Sequence, residues 1–536
     1  MSGTAAAGEE FRTGKGRVRG RRAADGVVAV LGVPYAAPPF GADRFRPPRP
    51  AASWSGTRDC TAFGPIAPQS ARLPGAPVWR PGDEDVLTLN VWVRPGAGAG
   101  PLPVLVWVHG GAYTFGSPAQ PDYDGAALAR AGVVVVSVGY RIGFEGFGHV
   151  PGFPDNRGLL DVVAALRWVR EEIAAFGGDP GRVTVAGQSS GAGAAVCLMA
   201  MEEARGLFHR VVAHSAPGAC FAPEVASAVS AAVAAEAGVA ATGEGLRSAA
   251  PELLVAASDR VATACREGAP VAPVQAYNPV VFQPVVDGTV LPVAPPVAVA
   301  AGAAREVDLL VCHALEEGRF LHRVGAIRDV GSEEELDAFA RAFPLPAGLP
   351  AGYRELMPLA SARDRYLALF GDALFGAYGT RLAEAHARAG GRALLSRFAR
   401  TRPVPGGRAW PWHTADVPFS LGTLDAEGAD FLIGGAPDAD DRALSARMVR
   451  AWAAFAATGD PGWPALGADT TPVHHWAVPG DHVSYDEPDA GRRALWKEIP
   501  FGPIRLPEAP VGAHARDGAR ENRNPSVEGE GSLDQR

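Results

Sequence analysis

Short apolar runs punctuate the N-terminal part of the chain, each bounded by glycine, proline or aspartate nearby. They occupy residues 27–31, Thr88–Val93, 104–108, 133–138 and 183–186, and valine dominates them. Runs of that length without polar alternation suit strands of a sheet covered on both faces. Between the last two runs, Leu159, Val163, Leu166, Val169 and Ile173 recur at helical spacing, which predicts a helix with one buried face over residues 159–176. Strands alternating with helices predict an α/β fold, with a mostly parallel central sheet and helices on both faces. Residues 224–382 mix Ala-rich helical stretches with Pro-rich connections, and helical excursions forming a cap are expected there. The chain carries no internal repeat, and its length alone would allow two or three average domains or one long unit. Residues 507–536 turn polar, rich in Gly, Arg, Glu and Asn, and are expected to form a disordered tail.

Composition narrows the classes. With 47% hydrophobic and 20% charged residues, the chain has ample material for a core. A net charge of −8 argues against a nucleic-acid partner. The five cysteines, Cys60, Cys197, Cys220, Cys265 and Cys312, show neither CxxC spacing nor a ligand pattern with histidine. No zinc site is expected, and the odd, scattered set reads as buried thiols in a reducing compartment. The N-terminus lacks the apolar core of a signal peptide, and no stretch approaches the ~20 apolar residues that span a bilayer. A soluble, cytoplasmic protein without a membrane partner is the expectation.

The sharpest chemical signal follows the run at 183–186, where Gly187-Gln-Ser-Ser-Gly191 leads into a small-residue, helix-compatible stretch. This is a G-x-S-x-G elbow in strand–turn–helix context. The turn strains the serine backbone, and glycines on either side give it room. Register selects Ser189, because taking Ser190 as nucleophile would put Gln188 where the first glycine belongs. In a chain with 66 glycines an isolated match would carry little weight, so the context has to decide. That context comes earlier, where the run at 104–108 enters His109-Gly-Gly-Ala112. Such a loop contributes backbone N–H groups to an oxyanion hole, together with the N–H that follows the nucleophile. Gly111, Ala112 and Ser190 are the candidate donors. Alone, the loop would read as an ordinary glycine turn at the end of a strand.

Taken together these segments resemble the type-B carboxylesterase and cholinesterase-like family of α/β-hydrolases, over nearly the whole chain. Further landmarks are Gly32-Val-Pro-Tyr-Ala-Ala-Pro-Pro, Glu84-Asp-Val-Leu-Thr-Leu-Asn90, Phe176-Gly-Gly-Asp-Pro180, Phe208-His-Arg-Val-Val-Ala-His-Ser215 and Pro284-Val-Val-Asp-Gly288. The resemblance implies a single domain of α/β-hydrolase fold over residues 1–506, no cofactor, a small-molecule ester as substrate, and ester hydrolysis through an acyl-enzyme. It places the acid directly before a glycine, which selects Glu317 over Glu316 ahead of Gly318, and the base in His413-Thr-Ala-Asp416-Val-Pro-Phe419. Without those flanking motifs a lone glutamate would read as solvated, and a histidine as a surface or structural residue.

The chain also departs from the family pattern. A disulfide common in secreted relatives is missing, with Ala67 and Val86 at the corresponding positions. Gln188 stands where the family often has glutamate, which weakens the negative field beside the nucleophile and disfavours choline esters. Ala112 replaces a glycine in the oxyanion loop, and Cys312 replaces a glycine near the acid. His474-His475 has no nearby ligand set and reads as structural. Two other readings stay open on the sequence alone. The same triad serves amides, carbamates, lactones or acyl transfer to an alcohol, and the fold also occurs in non-catalytic binding proteins.

Overall fold

The computed structural model describes residues 8–71, 77–96, 98, 100–343, 345–404, 407–467, 470–485 and 490–507. Apart from Pro507, the polar C-terminal segment lies outside the described residues. One large twisted sheet organises the chain. Its strands include β1 (Val28–Pro34), β2 (Thr88–Val93), β3 (Leu102–Val108), β4 (Val134–Val138), β5 (Gly178–Gln188), β6 (Arg210–His214), β7 (Asp308–Ala314), β8 (Ala393–Phe398) and β9 (Val473–Trp476). Across the sheet they run in the order β1-β2-β4-β3-β5-β6-β7-β8-β9. Every pair from β4-β3 to β8-β9 is parallel. The N-terminal edge is antiparallel, since β1 pairs β2 and β2 pairs β4 in that sense. Among the described residues no α-helix lies between β1 and β2, and an antiparallel pair needs no helical crossover.

Alternation along the strands divides the core in two. Val104, Val106 and Val108 of β3 face one apolar layer, while Leu105 and Trp107 face the other. The same split separates Leu309 and Val311 of β7 from Leu310 and Cys312. Both layers exclude water, which is why the strand sequences read as unbroken apolar runs. On the first layer lies α1 (Arg157–Glu172), extended by a 3₁₀ turn at Ile173–Phe176, in agreement with the predicted helix. Next to it α2 (Ser190–Leu198) starts directly after β5. The predicted cap region holds α3 (Pro223–Ala237), α4 (Pro251–Arg266) and α5 (Glu317–Arg323), with β7 passing through it to complete the sheet. The second layer is covered by α6 (Val417–Leu421) and α7 (Ala439–Thr458). Among the described residues no helix is long and apolar enough to cross a membrane.

Candidate active site

At the C-terminal ends of the parallel strands, where open α/β sheets hold their ligands, three loops converge. The first is the β5–α2 turn. Ser189 sits there at φ 52°, ψ −126°, a conformation that costs an L-residue on the order of 1–3 kcal/mol. A Cβ on Gly187 would lie 2.5 Å from the Gly191 carbonyl carbon, and one on Gly191 would lie 2.0 Å from the Val108 carbonyl oxygen. Glycine at both positions is therefore a requirement of packing. The Ser189 N–H donates to the His214 carbonyl at 2.9 Å, which ties the turn to the end of β6. Ser189 is half-buried and lines a cavity, whereas the Ser190 side chain is fully buried.

The second loop carries His413. Its Nε2 lies 3.0 Å from Ser189 Oγ and its Nδ1 lies 2.6 Å from Glu317 Oε2. Glu317 opens α5, so the two glutamates lie at a strand-to-helix junction and not in an extended segment. Turning into the helix separates them. Glu317 faces inward, and its Oε1 accepts from Ser215 Oγ at 2.6 Å and from the Ala314 N–H at 2.7 Å. Glu316 points away and accepts from Arg319 Nε at 2.8 Å. Gly318 follows because a Cβ there would lie 2.5 Å from the Leu367 carbonyl oxygen.

The third loop follows β3. Gly111, Ala112 and Tyr113 take φ values of 123°, 53° and 57°. Positive φ at Ala112 costs about 1 kcal/mol relative to glycine. Among the described residues, the N–H groups of Gly111, Ala112 and Ser190 have no partner. All three residues line the same cavity as Ser189 and His413. His109 is structural: its ring lies against Tyr140, and burial pushes its pKa down to about 4.

The sequence placed Gln188 beside the nucleophile without its contact to the base, and gave no role to Phe375, His214 or Ser215. Gln188 Nε2 lies 3.2 Å from His413 Nε2, close enough to compete with Ser189 for that nitrogen. The Phe375 ring packs 4.5 Å from the His413 ring. His214 and Ser215 together link the segments that carry Ser189, His413 and Glu317. His214 receives the Ser189 N–H, its Nδ1 lies 2.6 Å from Asp416 Oδ2, and the adjacent Ser215 supports Glu317. The motif around His413 pointed to Asp416, but nothing local in the sequence pointed to its partner on β6.

His214, Cys312 and Asp416 also form, among the described residues, the one group whose donor atoms lie close enough to hold a metal ion. Both imidazole nitrogens are already engaged, since Trp452 Nε1 donates to His214 Nε2 at 2.9 Å. The chemistry fits a hydrogen-bonded histidine better than a ligand. Burial pushes the Asp416 carboxyl up, but the charge and hydrogen bond of His214 outweigh it and hold Asp416 below the usual range. Cys312 Sγ donates to the same carboxylate at 3.6 Å, a contact that gives this thiol a place in the network. Asp416→Ala is expected to destabilise the fold by about 3–5 kcal/mol, measured by chemical denaturation at neutral pH. Because the Asp416 pKa is lowered on folding, that loss should shrink as pH falls through the carboxylate range. His474 stacks on Trp463, and His475 Nε2 meets Ser484 Oγ at 2.8 Å, so both serve packing.

The cavity has a volume of about 490 Å³ and is walled largely by Tyr113, Phe115, Phe320, Phe375, Phe431 and Leu432. An activated hydroxyl at such a cavity, facing three unpartnered N–H groups, suits acyl transfer.

A family model described as the carboxylesterase family matches residues 8–348. The para-nitrobenzyl esterase of Bacillus subtilis (strain 168) is 34% identical over 471 residues, covering 85% of this chain and 92% of that protein. The phenmedipham hydrolase of Pseudarthrobacter oxydans is 33% identical over 488 residues, covering 86% and 94%. Among solved structures, the Geobacillus stearothermophilus carboxylesterase EST55 superposes with a TM-score of 0.79 at 34% identity, covering 91% of this chain and 99% of that one.

Proposed function

The chain belongs to the carboxylesterase family and is a carboxylic ester hydrolase, and from that premise we propose that Ser189, His413 and Glu317 are its catalytic triad. The observation that carries this reading is the hydrogen-bonded chain Ser189–His413–Glu317, ending in the cavity at a strained serine. In the proposed cycle His413 Nε2 takes the Ser189 proton as Oγ attacks the ester carbonyl. Glu317 holds Nδ1–H, fixes the tautomer, and stabilises the imidazolium that forms. The developing oxyanion accepts from the N–H groups of Gly111, Ala112 and Ser190, at roughly 3–4 kcal/mol per donor in comparable enzymes. His413 then protonates the leaving alcohol, and a water activated by the same nitrogen releases the acid.

The cavity has room for an ester with medium-sized groups on both sides of the carbonyl. The five cysteines are all free and buried, which supports a reducing, cytoplasmic location. Rapid mixing with an activated aryl ester tests the covalent route. A burst of phenolate equal to the enzyme concentration is expected before steady turnover. Purely linear release under acylation-fast conditions would argue for direct attack by water.

A further inference from the structure

Asp122 is a carboxylate in the wall of the substrate cavity for which the proposed reaction has no use. It belongs to the short turn Pro121–Tyr123, and only 7% of its surface is exposed. Among the described residues its carboxylate has no basic partner and no side-chain donor, and the backbone N–H of Asp122 itself is the one group that favours its charge. The turn itself is firmly held. Thr423 Oγ1, just beyond α6, donates to the Asp122 carbonyl at 2.9 Å, and the Tyr123 ring packs 5.5 Å from Trp107. Asp122 therefore stands on the same supports as the His413 segment, between Gln120 and Tyr123, which also line the cavity.

A carboxylate removed from water and left without a partner is costly, and proteins rarely leave one in that state without use. Here no basic residue compensates it. Arg266 and Glu427 line the same cavity, but both are exposed and neither pairs with it. The other titratable groups that line the cavity are Tyr113, Tyr123 and His413, and burial holds both tyrosine hydroxyls protonated.

Resting on the ester-hydrolase reading above, we propose that Asp122 is a specificity-determining residue that selects carboxylic esters bearing a protonated amine. A tertiary, secondary or primary ammonium offers both a charge and an N–H to donate, and so meets the carboxylate in a charge-assisted hydrogen bond. A neutral ester of the same shape leaves it unpaired. Burial pushes the Asp122 pKa up to about 6, so this recognition is present at neutral pH and fades as the carboxyl takes a proton in mildly acidic solution.

The test compares 2-(dimethylamino)ethyl butyrate with 3-methylbutyl butyrate, which share a shape and differ in the amine. The reading is the ratio of their kcat/KM values, in which pH effects common to both esters cancel. A ratio of roughly ten or more in favour of the amine is expected near neutral pH, falling severalfold by about pH 5. Asp122→Asn should bring the ratio close to one and flatten its pH dependence, while Asp122→Glu should keep both. A ratio near one in the unsubstituted protein, a ratio that does not fall with pH, or an unchanged ratio in Asp122→Asn would overturn the proposal. If either variant fails to fold, the pH dependence in the unsubstituted protein still decides. Failure of the triad reading would look different, since both esters would then be hydrolysed by Ser189→Ala.

Discussion

Ser189→Ala is expected to lower kcat for ester hydrolysis by on the order of 10⁶, with little change in stability. Its hydroxyl is the one that stands in the cavity within 3.0 Å of His413 Nε2. Removing it leaves the imidazole with no nucleophile to activate, and residual turnover must come from the oxyanion donors and binding alone. Alanine at this strained φ is no worse than serine, so folding should be preserved, which thermal unfolding would check. Ser190→Ala is the matching control. The Ser190 side chain is buried, and its part in the proposed mechanism is a backbone N–H that alanine keeps, so activity should fall by a few-fold at most.

The second large effect concerns the acid. Glu317→Gln should reduce kcat by at least roughly 10² with KM little changed. The amide keeps the shape of the side chain but removes the charge opposite the imidazolium. It can also present an NH₂ to His413 Nδ1, which favours the wrong tautomer. Ser215 Oγ and the Ala314 N–H both donate to Oε1 of the native carboxylate, so they should help to turn the NH₂ of glutamine toward the ring. Glu316→Gln should change kcat by only a few-fold, because that side chain pairs with Arg319 at the surface of the junction. If Glu316 proved the crippling position, the geometry proposed for His413 would be wrong. Asp416 is not available as a substitute acid, since its carboxylate is committed to His214.

The contrast between these residues shows what the sequence could and could not reveal. Ser189 and the oxyanion loop were legible because strand, turn and glycine spacing sit within a few consecutive residues. Glu317 and His413 were reached through flanking motifs, which do not show how Glu316 and Glu317 turn apart. A helix start, not strand alternation, turns them apart. The apolar runs marked the strands well, but the antiparallel edge escaped them, because pairing sense leaves no trace in a fully buried strand. His214, Ser215 and Asp122 were silent for a different reason. Each acts through partners or a cavity wall assembled from segments hundreds of residues apart, such as the 202 positions between His214 and Asp416. Cys312, unexplained by pattern, finds its contact in that same network.

The central claim is that Ser189 becomes the acylated residue, and covalent trapping tests it most directly. An organophosphonate ester should phosphonylate the unsubstituted protein once, with peptide mass spectrometry placing the added mass on Ser189 and Ser189→Ala taking up none. Label found on Ser190, or retained in Ser189→Ala, would contradict the account.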